Sequence, residues 1–300
     1  MTVPTLAIDC ASSATRHQNL INASLQVQAG KIIGLIGNEN SGKTTLLAMA
    51  AGLLKPDSGK ILLCGKPIEE NRSLVGVAMN PPGYISSLTV RENLIASALR
   101  KSTADPEQRC LTLIDELGLG EYKNKPVSRC PVGILPFIGL SIALTGRPKL
   151  LILDEPFQNL DSKKTICMEN VLRNLAHYKK IAILVSAKRI SDLANSADEL
   201  AFFNHGTLSK TYPTDPRQSP LPTSITFSTS NNDIALARLE YLLPSSSFKL
   251  KENNEIEANN VEIRQLAEAL HETKLVITKL VETKQGLDDY LLKRLKGERW

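Results

Sequence analysis

Two short stretches hold the residue types that phosphate chemistry needs. The first is GNENSGKT, residues 37–44, which fits the spacing G-x-x-x-x-G-K-[ST]. Gly37 and Gly42 carry no side chain that would keep a backbone from wrapping an anion. The N–H groups along Asn38, Glu39, Asn40 and Ser41, and the start of the helix that follows, then face the negative charge. Lys43 is placed to reach the terminal phosphates of a nucleotide. Thr44 offers a hydroxyl to Mg²⁺, and Thr45 offers a second one to the phosphates. The other stretch is LLILDE, residues 150–155. Asp154 closes an apolar run and suits the water shell of Mg²⁺, and Glu155 is placed to polarise an attacking water. Two acids at the end of a buried strand are costly without a cation beside them. The competing reading is a charged strand end in solvent.

The elements that position these residues are legible as runs. KIIGLIG (31–37), KLLILDE (149–155) and KIAILVS (180–186) are short, apolar throughout and rich in β-branched residues. Strands covered on both faces have that composition, so residues 1–210 are expected to form an α/β domain, a mostly parallel sheet with helices on both sides. Ile32 to Ile36 feeds the phosphate loop, and a helix over Thr44 to Gly52 leads out of it. TYPTDPRQSPLPTS (211–224) holds four prolines and reads as a linker. Residues 225–300 read as a small α+β domain in the order β-α-β-β-α-β-α, with TSITFS as its first strand. In it, VEIRQLAEALHE is expected to present Val261, Ile263, Leu266, Ala267 and Leu270 on one face, KLVITKL is expected as a strand, and LDDYLLKRLKG as the final helix.

Composition removes several function classes. The 300 residues carry a formal net charge of +5 and only 4% aromatics, the first of which is Tyr84. A stacking platform for single-stranded nucleic acid near the N-terminus is therefore not expected. The five cysteines, Cys10, Cys64, Cys110, Cys130 and Cys167, are scattered and never spaced C-x-x-C. That argues for buried small residues in a reducing compartment, not for a zinc site or disulfide framework. No signal peptide is apparent, and the longest uncharged stretch, Cys130 to Gly146, is broken by Pro131, Gly133, Pro136 and Gly139 and is too short to span a bilayer.

GNENSGKTTLLAMAAGLLKPDSGKILLCGKPI and PKLLILDEPFQNLD resemble the ATP-binding subunits of ABC transporters, and the resemblance runs over nearly the whole chain. PPGYISSLTVRENL and the tail LVETKQGLDDYLLKRLKG are similar to the bacitracin and lantibiotic group, which exports drugs or bacteriocins or confers self-immunity. The resemblance implies a P-loop ATPase domain using ATP and Mg²⁺, peripheral at the cytoplasmic face of the membrane. It implies integral membrane permease subunits as partners and a dimer, with itself or with a second ATPase subunit, that sandwiches two nucleotides. Nucleic acid is not expected as a partner. Asp161, with Asn159 and Leu160, falls in the family's D-loop.

Four positions depart from the family pattern. The signature loop falls on CPVGI (130–134): Gly133 is kept, but Pro131 stands where a serine is expected and removes a hydroxyl and an N–H. The switch histidine falls on Lys188, whose ammonium can only donate. Lys188 reads either as a phosphate partner or as a plain surface lysine. The glutamine that senses Mg²⁺ and the permease falls on Asn80, which reads equally as a turn residue before Pro81 and Pro82. No aromatic stands where adenine would stack; Ala14 and Thr15 occupy the position, and His17 is the nearest flat ring. The expectation is an ATPase subunit with weak or partner-dependent hydrolysis through Glu155, Lys43 and Lys188. A non-hydrolysing regulatory or scaffold subunit is the alternative, and a soluble ATPase acting on DNA or the ribosome is a remoter one.

Overall fold

From the N-terminus, strands β1 (Leu6–Ala14) and β2 (Asn19–Val27) precede β3 (Ile32–Ile36), which feeds helix α1 (Lys43–Ala50). Then come β4 (Ser58–Leu63), β5 (Lys66–Pro67), β6 (Val75–Ala78), α2 (Val90–Arg100), α3 (Pro106–Glu116) and α4 (Leu135–Leu144). β7 (Leu150–Leu153), α5 (Ser162–His177), β8 (Ala182–Ala187), β9 (Glu199–Asn204), β10 (Thr207–Leu208) and β11 (Tyr212–Pro213) follow. This is a computed structural model, and it describes residues 3–14, 19–80, 83–214, 223–244, 246–251, 254–259, 261, 263–273 and 275–284. The chain divides into two compact units, with the boundary at residues 215 and 216.

At the centre of the first unit, β6, β7, β8, β3 and β9 lie side by side and parallel. β3, β7 and β8 are the three apolar runs of the sequence, and each of their residues is buried; β6 and β9 were not among those runs. The antiparallel block β5-β4-β1-β2, joined to this centre through β10, was not anticipated. One core cluster holds Leu46, Leu47 and Met49 of α1 together with alternate residues of both parts, Leu35, Ile152 and Leu184 on one side and Leu25 and Leu63 on the other. The sheet therefore curls round α1, and that burial is what closes the unit.

α2 starts with a capping box: Thr89 accepts from the Glu92 N–H, and Glu92 accepts from the Thr89 N–H. α4 is buried from Phe137 to Leu144, and side chains meet the carbonyls of its last three residues and of the capping Thr145. Ser97 donates to Ile142 O (3.4 Å), Lys101 to Ala143 O (3.1 Å), Arg109 to Leu144 O (2.8 Å) and Thr103 to Thr145 O (3.3 Å). Gly76 in β6 permits this packing, because a β-carbon there would lie 2.5 Å from Ala143 O.

The stretch expected as a linker starts inside the first unit. Tyr212 pairs with Leu200 of β9, is buried, and meets Phe202 edge to face at 6.0 Å. Residues 215–222 lie outside the described residues.

The second unit contains β12 (Thr223–Thr229), α6 (Asn232–Leu242), β13 (Ser247–Leu250), β14 (Ile256–Asn259), α7 (Ile263–Thr273) and β15 (Ile277–Lys284). The strands form an antiparallel sheet in the order β13-β14-β12-β15 over a core that includes Phe227, Leu239, Ile256 and Leu266. β15 starts within the expected KLVITKL segment, three residues after its first, and runs on to Lys284. The buried stripe of α7 also differs: Leu266, Ala269, Leu270 and Thr273 are buried, and Ala267 is exposed. Positions 266, 269, 270 and 273 recur at helical spacing, whereas 267 lies about 100° round from 266. The side chain of Ile263 and the expected final helix at 287–297 lie outside the described residues.

Candidate functional site

Four parallel strands end at four expected site residues. β3 runs into Gly37, β6 into Asn80, β7 into Asp154 and β8 into Lys188. Open α/β sheets bind ligands beyond the carboxyl ends of their strands, and here those ends also hold the charges.

The phosphate loop is built on backbone that tolerates little else. A β-carbon on Gly37 would stand 2.8 Å from both Phe203 O and Ser41 Oγ. Gly42 has φ 113°, in the left-handed region that only glycine enters freely, and it turns the chain into α1. Asn40 is also left-handed, at φ 59°, and Asn tolerates this better than most residues. Lys43 is 4% exposed, and its ammonium donates to Gly37 O (2.6 Å), Asn38 O (2.8 Å) and more weakly to Ser41 Oγ (3.5 Å). Burial holds the Lys43 pKa below the ordinary lysine value, while Glu155 and Asp154 oppose that shift. Thr44 is exposed and Thr45 is buried.

Asp154 is nearly buried, and both of its oxygens are engaged. Thr44 Oγ1 donates to Oδ2 at 3.0 Å and Ser186 Oγ to Oδ1 at 2.6 Å. A hydroxyl and a carboxylate in contact form a pair of hard oxygen donors, which is what Mg²⁺ takes from proteins when phosphate and water supply the rest. Among the described residues there is no cluster of three or more His, Cys, Asp or Glu suited to a metal held by protein alone. Ser186 was missed in the sequence, although it is the polar residue near the end of an otherwise apolar run. It also accepts from the Glu155 N–H at 2.9 Å. That bond fixes Glu155 in a left-handed conformation, φ 50°, which a glutamate adopts only when its surroundings hold it there.

Lys188 lies between two carboxylates. Its ammonium donates to Glu39 Oε1 at 2.6 Å and stands 3.6 Å from Glu155 Oε2. The bond to Glu39, then the charge of Glu155, raise the Lys188 pKa above its ordinary value. The same bond to Lys188 lowers the Glu39 pKa. Lys188 is thus an ion-pair partner within this site, and Glu39 is an acid in the loop itself.

The remaining positions lie to one side. The exposed Asn80 donates to Gln158 Oε1 at 3.2 Å, and both line a cleft of about 190 Å³ that reaches Asp154 and Glu155. Pro131 is extended, and Val132–Ile134 form a single 3₁₀ turn before α4 begins. Pro136 falls in the first turn of α4, where its missing N–H costs nothing. A β-carbon on Gly133 would come within 3.3 Å of Asn159 O, so the 3₁₀ turn before α4 packs close to the segment that precedes α5. Asp161 caps α5: its Oδ1 accepts from the Lys164 N–H at 2.8 Å, and bonds with the Lys164 side chain and N–H lower its pKa. His17 and Thr15 lie outside the described residues, and Ala14 ends β1.

Fold and site together define a phosphate-binding α/β domain of the P-loop class. The family described as ABC transporter matches residues 20–158. Over 291 residues, 94% of each chain, the protein is 27% identical to the bacitracin transport ATP-binding protein BcrA of Bacillus licheniformis. It is 31% identical over 209 residues to the uncharacterized ABC transporter ATP-binding protein YxlF of Bacillus subtilis (strain 168), covering 68% of this chain and 69% of that one. A dimeric bacterial ABC transporter cassette superposes with a TM-score of 0.65 at 18% identity, over 70% of this chain and 98% of that one. The chain belongs to the ATP-binding proteins of ABC transporters, a family of ATPases.

Proposed function

We propose that the protein is the ATP-binding subunit of an exporter or self-immunity transporter for a peptide antibiotic or bacteriocin, with hydrolysis that is slow or depends on a partner subunit. The likeness to a bacitracin transport protein along almost the full length of both chains supports the transport class. Lys43 and the loop N–H groups bind the phosphates, and Thr45 adds a hydroxyl. Thr44 and Asp154 hold Mg²⁺, which when bound neutralises phosphate charge. Glu155 orients the attacking water. The chain works peripherally at the cytoplasmic face of membrane permease subunits, with Asn80 towards them, as one half of a dimer; Gly133 and Asp161 face the opposite nucleotide.

One observation carries the reading of slow turnover: the Lys188 ammonium stands against Glu155 and Glu39. A neutral imidazole in this place could accept a proton from water; an ammonium cannot, and it also occupies the carboxylate that should activate the water. Pro131 adds a second defect, since it withdraws an N–H and a hydroxyl from the phosphate of a neighbouring subunit. A heterodimer with a regular ATPase subunit would confine these defects to one site. The isolated chain is expected to turn over well below 1 s⁻¹, and about 1–10 s⁻¹ would overturn the reading. Pro131 and Lys188 equally favour a non-hydrolysing regulatory subunit. Glu155→Gln separates the two, because transport that survives this change never needed hydrolysis at this site.

A further inference from the structure

At the opposite ends of the strands from the phosphate loop, a cleft of about 360 Å³ opens between α3, the end of α4 and the start of β7. Four cations line it, Arg109, Arg147, Lys149 and Lys179, against one carboxylate, Glu116. Lys179 is paired with Glu116 at 2.9 Å. Among the described residues, Arg109, Arg147 and Lys149 make no ion pair. Arg109 is held in place by its bond to Leu144 O, yet its Nε is buried with no partner. A half-buried guanidinium with an unmet donor is costly; the charge of Glu116 offsets part of that cost but is shared with Lys179, and an anion alongside would offset more. The floor of the cleft is apolar, made by Leu113, Leu144 and Leu175. It continues past the Lys179–Glu116 pair into a neighbouring hollow of about 420 Å³ that reaches Leu117 and Val171.

The geometry points to a binding site for a single-chain anionic amphiphile, with a phosphate or carboxylate head at Arg109, Arg147 and Lys149 and an apolar tail along the floor. The unpaired cations supply the attraction for the head. The apolar furrow leading away from them requires more than a bare ion. A volume of this size, at the low end of the range for small-molecule sites, takes one chain and not the two of a bilayer lipid.

The test uses the full chain and isothermal titration with dodecyl phosphate below its micelle concentration. Inorganic phosphate and phosphatidylcholine vesicles carrying phosphatidic acid serve as the other two arms. Saturable binding of dodecyl phosphate is expected, at least 10-fold tighter than inorganic phosphate. Arg147→Gln with Lys149→Gln is expected to weaken it by at least 10-fold while ATP binding stays unchanged, which also shows that the variant is folded. Lys179→Gln, a milder change, is expected to weaken it less. No saturable binding, binding indifferent to the double variant, equal affinity for inorganic phosphate, or binding to vesicles alone would each overturn the proposal.

Discussion

Lys101 offers a quantitative handle on the helical part of the first unit. It caps α2, and its ammonium donates to Ala143 O at 3.1 Å, at the last turn of α4. Burial, and then the like charge of Arg100, lower its pKa from 10.5 to about 8. The folded value lies below the unfolded one, so between pH 8 and about 10.5 the unfolded chain binds more protons. Stability therefore rises with pH across that window, and the full penalty is present below it. The shift corresponds to about 3 kcal/mol at pH 7. Lys101→Met keeps the apolar stem and removes the charge, at the loss of one hydrogen bond worth about 1 kcal/mol. The variant should then be about 2 kcal/mol more stable at pH 7, and the advantage should disappear by about pH 10. Urea unfolding of both proteins, followed by circular dichroism at pH 7, 8.5 and 10, measures the difference, in which all other titrating groups cancel. Two parallel pH curves would refute the reasoning, because the Lys101 pKa would then be the same folded and unfolded.

Gly37→Ala puts a β-carbon against Phe203 O, so nucleotide affinity measured by titration should fall at least 10-fold; an unchanged affinity would mean that the loop yields. Ser186→Ala removes the bonds to Asp154 and to the Glu155 N–H, so stability should drop by about 1–3 kcal/mol and the Mg²⁺ concentration needed for half-maximal ATPase should rise. Lys188→His should raise ATPase turnover by about 10-fold or more by freeing Glu155 and restoring an acceptor, and no gain would locate the brake elsewhere.

What was legible in the sequence followed from how each strand is covered. β3, β7 and β8 are buried on both faces, so their apolar runs announce strands, and motifs at their ends fall at the site. β1 and β2 are covered on one face, so their signal is alternation: Leu20, Ala23, Leu25 and Val27 point inward, with exposed residues between them. Register shifts near Cys10 and Asn22, both at positive φ, break that alternation and hid the two strands. The phosphate loop was legible because its glycines answer a backbone requirement visible in one segment. The Lys188–Glu39 pair was not, since it joins residues 149 apart in the chain and depends on the parallel register of β3 against β8.

The uneven tethering of α4 bears on how the two ends of the first unit communicate. One end is bolted through four side-chain bonds and the close fit over Gly76; the other passes through a short 3₁₀ turn to the exposed Pro131 and Val132. Sliding along the axis would break all four of those bonds, whereas a tilt about the bolted end would keep them. With a length of about 15 Å, a tilt of about 10° about the bolted end would carry the signature loop some 2–3 Å while β7 and Asp154 stay in place. A push delivered at the loop would then reach the sheet as torque about that end rather than as thrust along the helix.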